Sequence, residues 1–139
     1  MLKIRIETVP SEEQRYPTIG DYWDEPDGTR EVRVTDMGDP RYEFLVAVHE
    51  LVELMLCAER GIAEPEIMAF DVAFEEERDR GLHGPDDEPG DDPRAPYRRE
   101  HRFAENIERL VAHELGVDWE AYGEAVQRAL AEGGERRGA

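Results

Sequence analysis

"FLVAVHELVELMLC", residues 44–57, decides how this chain is read. Every residue in it is apolar except His49, Glu50 and Glu53. Such a run predicts a helix that is hydrophobic nearly all round and therefore largely buried, with Phe44, Leu45, Val48, Val52 and Leu56 in the core. An imidazole and two carboxylates on that helix need partners. An unpaired carboxylate in apolar surroundings is costly, or it shifts its pKa and neutralises.

On an ideal helix, residues four apart lie about 40° apart and neighbours about 100° apart. His49 and Glu53 therefore stack on one face, with Glu50 to their side. This is the spacing of H-E-x-x-H with Glu in the last place. In that motif the first and fifth residues bind a metal, and the second is the base for the metal's water. A carboxylate oxygen can replace the second imidazole. The expectation is His49 and Glu53 as metal ligands and Glu50 as the catalytic base. The plainer alternative is a buried His–Glu hydrogen bond that orients helices.

A third ligand is sought in "YRREHRFAENIERLVAHEL", residues 97–115. Its expected apolar stripe is Phe103, Ala104, Ile107, Leu110, Val111 and Leu115. Glu100 projects into that stripe, and His101 and Glu108 lie at its edge. His101 is the preferred ligand, with Glu100 or Glu105 as substitutes; for Glu105 solvated pairing with neighbouring arginines is the favoured reading. Asp71 shares a helix face with Ile67, Phe70 and Phe74. It is expected to be a ligand, an acceptor holding an imidazole N–H, or the partner of a buried Arg. Zinc is the first metal for such a set, with manganese or iron also suited. Cys57 reads as a small buried hydrophobe.

Outward from the motif, "LKIRIETV" (2–9) alternates as a strand, and residues 17–36 read as a hairpin turning at "PDG". Asp39 and Pro40 start the motif helix, and Gly61 ends it. A second helix fits 64–79. Residues 80–96 are rich in Gly, Pro and Asp and read as loop, either a solvated excursion or a flap. Helices follow at 97–115 and from Asp118 to about 132. Strands first and helices after predict an α+β fold: a small antiparallel sheet at the N-terminus against three or four helices. The length suits one domain, 1–132, with a frayed tail at 133–139.

The net charge is -18, with 35 acidic residues against 17 basic. That argues against nucleic-acid binding, which needs clustered Lys and Arg. It suits cations or a protein or peptide partner. A single Cys precludes a disulfide within the chain, so a reducing cytoplasm is expected. No signal peptide or membrane span is visible.

"EVRVTDMGDPRYEFLVAVHELVELMLC", "EPGDDPRAPYRREH" and "IERLVAHELGVDWEAY" resemble a group of uncharacterised proteins encoded by bacteriophages and prophages. The likeness runs from about Arg15 to Tyr122 and implies a compact domain. The strand followed by a motif helix is also similar to the core of small zincin-type metallopeptidases, with Glu53 where those have His. The resemblance implies a minimal metal-dependent hydrolase acting on a peptide or amide bond. Three alternatives stand beside it. One is a metal-binding or structural protein without turnover. Another is a non-enzymatic acidic protein that binds a host protein by imitating phosphate charge. The third is a magnesium-dependent nucleotide pyrophosphatase, which leaves the histidines unexplained.

Overall fold

The computed structural model describes residues 1–138, and for 136–138 the backbone alone. Strands β1 (Ile4–Val9), β2 (Gly20–Asp24) and β3 (Arg30–Thr35) precede helices α1 (Pro40–Glu59), α2 (Glu64–Asp79), α3 (Arg98–Glu114) and α4 (Trp119–Gly138). The fold is α+β, a three-stranded sheet packed against helices.

β2 and β3 form the expected hairpin. Gly28 takes a φ of 87° in its turn, a conformation that glycine adopts without strain. β1 corrects the expectation of a purely antiparallel sheet. It pairs with β3 in parallel, Ile6 beside Val32 and Thr8 beside Val34, so the order is β1-β3-β2 and the sheet is mixed. The chain leaves β1 through a 3-10 turn at Ser11–Glu13 and crosses to the far side of the hairpin. Alternation gives the faces of a strand but not its direction relative to a distant partner.

α1 begins as its sequence predicts: the Asp39 side chain accepts from the Arg41 N–H, and Pro40 takes the first helical position. Its burial is one-sided. Leu45 is fully enclosed, whereas Phe44 is 53% exposed and Met55 43%. Val48, Val52 and Leu56 are half-buried. Of the five residues expected in the core only Leu45 is there, and the expectation for Phe44, Val48, Val52 and Leu56 is corrected: α1 packs on β2, β3 and α3, and these elements cover only part of its circumference.

α3 is turned relative to its apolar stripe. Its buried residues are Glu100, His101, Ala104, Glu108 and Ala112, while Phe103 and Leu110 are exposed. Small Ala104 and Ala112 let the α3 backbone come close to α1. Polar His101 and Glu108 lie between the two helices. The main core joins Val32 and Val34 of the sheet to Leu45, Val46 and Leu54 of α1, with Ala112, Val117 and Tyr122. The segment read as a tail from residue 133 continues α4 as helix up to Gly138, and Gly133 is buried beside Ser11. Ala139 lies outside the described residues. Among those residues no helix is long and apolar enough to cross a membrane.

Candidate metal centre

α1 and α3 bring three ligand-type atoms together. His49 Nε2 lies 3.0 Å from Glu53 Oε2 and 3.1 Å from His101 Nδ1. His101 Nδ1 lies 3.1 Å from the same Glu53 oxygen. The atoms form a nearly equilateral triangle, and all three residues are buried. The two imidazoles meet edge to face, with centroids 4.7 Å apart.

Each of these side chains is also held from behind. His49 Nδ1 is 2.9 Å from Glu108 Oε1, and the other Glu108 oxygen accepts from the Tyr122 hydroxyl at 2.5 Å. His101 Nε2 is 3.0 Å from Glu88 Oε2. Glu53 Oε1 accepts from the Tyr22 hydroxyl at 2.9 Å. A carboxylate at the far nitrogen of an imidazole draws the proton there and turns the near nitrogen's lone pair inward. In the neutral form of both histidines that orientation would make two lone pairs and a carboxylate oxygen converge on one point; without a cation there, protons take that place. Only a cation or a proton makes that arrangement favourable.

The electrostatics follow from these contacts. Burial opposes charge on His101, but its hydrogen bonds to Glu53 and Glu88 outweigh this and raise its pKa to about 10. His49 is likewise desolvated, yet Glu108 and Glu53 hold it well above its ordinary value. Burial would raise Glu53, but the two imidazoles bring it down to about 2. Glu50 makes no hydrogen bond to either imidazole, and their attraction is outweighed. Desolvation and the neighbouring Glu53 charge push it well above the usual carboxylate range.

Glu50 and the triangle line one cavity of about 260 Å³. Among the described residues the Glu50 carboxylate has no hydrogen-bond partner; it packs against Gly20, where a Cβ would fall 2.6 Å from Glu50 Oε1. The other expected ligands lie elsewhere. Glu100 pairs with Arg60 at 2.9 Å. Glu105 lines the cavity without entering the triangle, its pKa raised by burial and by Glu88. Asp71 accepts the hydroxyls of Tyr16 and Tyr97 and, among the described residues, holds no imidazole.

Sequence reasoning did not assign Glu108, Glu88 or the tyrosines to the site. Glu108 had a signal: it stands seven residues after His101, two turns along the same face. Glu88 had none. It sits in the 80–96 loop, which folds back so that Gly90 is seated against the His101 ring. The same loop is tied to α2, where Arg78 donates to the carbonyls of Gly84 and Asp87, and Glu77 pairs with Arg94 at 2.8 Å. Glu88 and Asp91 form a second candidate group with His101, outside the triangle and exposed.

No protein-family model, curated protein or solved structure matches this chain.

Proposed function

We propose that His49, Glu53 and His101 hold one divalent metal ion and that the protein is a small metal-dependent hydrolase of peptide or amide bonds. The observation that carries this reading is the convergent triangle with an outer partner behind every ligand. Metal-ligating histidines almost always have such partners. A divalent ion bound there would acidify a coordinated water. Glu50 is then the proton acceptor. It lines the same cavity, has no other hydrogen bond among the described residues, and is held above the usual carboxylate range by burial and the Glu53 charge, which makes its ionised form a stronger base.

The ion is expected to be zinc, with manganese and iron as the other members of the set. Bonds of about 2.1 Å at right angles span an edge of ~3.0 Å, and at tetrahedral angles ~3.4 Å. The edges of 3.0 and 3.1 Å lie within a small side-chain shift of both values, so four- and six-coordinate ions belong in the set. The acidic surface supports a setting without nucleic acid, and the single buried Cys57 is consistent with a reducing compartment.

A second reading rests on the same distances, which are also those of hydrogen bonds. A proton-held His–Glu network would lock α1 against α3 without any ion. Calorimetric titration with zinc, manganese and iron(II) separates the two. The metal reading expects one ion per chain, lost in His49→Ala and in His101→Ala. Binding no tighter than about millimolar would favour the network instead.

A further inference from the structure

The part of the cavity wall formed by α2 carries a polar group that the metal triangle does not use. Asp71 is 8% exposed and sits at mid-helix. Tyr16 donates to its Oδ2 at 3.1 Å and Tyr97 to its Oδ1 at 2.5 Å. Two other wall carboxylates have cations: Asp21 pairs with Arg15 at 2.7 Å, and Glu75 with Arg78 at 2.9 Å. Among the described residues Asp71 has two neutral donors and no cation within ion-pair distance. A carboxylate has about four acceptor sites, so two remain after the tyrosines are counted.

We infer that Asp71, held in place by Tyr16 and Tyr97, is the recognition point for a cationic group, a primary ammonium or a guanidinium, on the molecule that enters this cavity. Its remaining acceptor sites suit charged N–H donors. Ile67 and Met68 supply apolar lining for the stem of such a group. At about 260 Å³ the cavity admits one side chain or a chain end rather than a folded surface. Burial raises the Asp71 carboxyl to about 7, and a neighbouring positive charge would favour its ionised form. A neutral occupant would leave the Asp71 carboxylate with its two hydroxyl donors alone and no opposite charge, and an occupant without N–H donors would leave its remaining acceptor sites unfilled. The inference deepens the hydrolase reading and rests on it for the reacting end, where Glu50 and the triangle line the same cavity.

The test is binding of n-butylammonium and n-butylguanidinium against neutral n-butanol. The full chain is used, once treated with chelator and once loaded with zinc. Binding is read from the methyl NMR signals of Ile67 and Met68. Both cations should bind saturably and at least about tenfold tighter than butanol, the scale of a charge-assisted hydrogen bond. Asp71→Asn should weaken them by a similar factor. Glu120→Gln, an exposed carboxylate on α4, should not, which controls for general attraction to an acidic protein. Butanol binding as well as the cations, or Asp71→Asn behaving like Glu120→Gln, overturns the inference. If Asp71→Asn does not fold, Tyr16→Phe takes its place: it removes a donor that positions Asp71, leaves Glu50 and Glu105 intact, and should weaken the cations and not butanol, an unchanged preference overturning the inference. Charge discrimination in a protein that takes up no metal would sink the hydrolase reading alone. Metal uptake without discrimination would sink this one alone.

Discussion

Gly90 lies so close to His101 that a Cβ at residue 90 would overlap the imidazole ring. This contact seats the Gly- and Pro-rich loop on a proposed metal ligand and sets Glu88 3.0 Å from His101 Nε2. Gly90→Ala should therefore lift the loop and leave His101 without its outer partner. Metal affinity is expected to fall about 10–100-fold, the usual effect of losing such a partner. Gly84→Ala is the control. A Cβ there would meet its nearest atom, Asp87 Oδ2, at an ordinary 3.5 Å. Calorimetry on both variants checks this, and equal affinities would show that the loop does not position His101.

Glu108→Gln and Tyr122→Phe probe the other imidazole. Tyr122→Phe removes one hydroxyl and should cost about 1 kcal/mol of stability. Glu108→Gln replaces the carboxylate facing His49 Nδ1 by an amide and should weaken metal binding about tenfold or more. Chemical denaturation and metal titration separate the two effects. Unchanged affinity in Glu108→Gln would mean that His49 is not oriented through this residue.

Glu50→Gln should retain the metal and lose hydrolysis, because an amide cannot accept the proton. Gly20→Ala should act on the same residue indirectly, since its Cβ would displace a Glu50 side chain that now lies 2.6 Å from that position. Metal content and turnover of a peptide library are measured together. Full turnover in Glu50→Gln removes Glu50 from the proposed chemistry.

Stability should depend on pH in opposite senses at the two ends of the scale. His101 has a folded-state pKa of about 10 against 6.5, so its contribution is complete below 6.5 and is lost as pH rises toward 10. His49 acts in the same direction. Glu53, at about 2 against 4.5, contributes above 4.5 and loses this as pH falls toward 2. Chelator-treated protein should melt highest between these limits. A metal ion takes the place of the imidazole protons, so saturating zinc should abolish the loss on the alkaline side. Melting curves at pH 5.5 and 9, with and without zinc, check this. An identical alkaline loss in both would argue that no ion enters the triangle.

Asp71 adds a separate slope. Its folded-state pKa of about 7 lies above the ordinary 3.8, so it binds a proton more readily when folded, and stability declines as pH rises from 3.8 to 7. Asp71→Asn should flatten that part of the curve and leave the alkaline part alone. A slope between pH 4 and 7 unchanged in the variant would place its origin elsewhere.

The helix frame and the pairing of His49 with Glu53 were legible in the sequence, because both depend on neighbours within a few residues. Asp39, Pro40 and Gly61 bound α1 through local backbone terms, and 3.6-residue periodicity puts residues 49 and 53 on one face whatever the surroundings. His101 was found for a weaker reason, its place near the face of a second helix. The stripe drawn through Phe103 and Leu110 pointed the wrong way, because periodicity weighs apolar character and not how closely small Ala104 and Ala112 let two helices approach.

What only the tertiary structure decided is long-range. The parallel placement of β1 depends on a crossing over the hairpin that no local pattern encodes. The exposure of Phe44 depends on which elements cover α1. Glu100 turns to Arg60, forty residues away, and Glu88 reaches His101 from a loop without periodicity. These partners are chosen by charge and hydrogen bonding between distant segments once burial has removed water as the competing partner. Local sequence specifies which groups must find a partner; the packed chain specifies which partner each one finds.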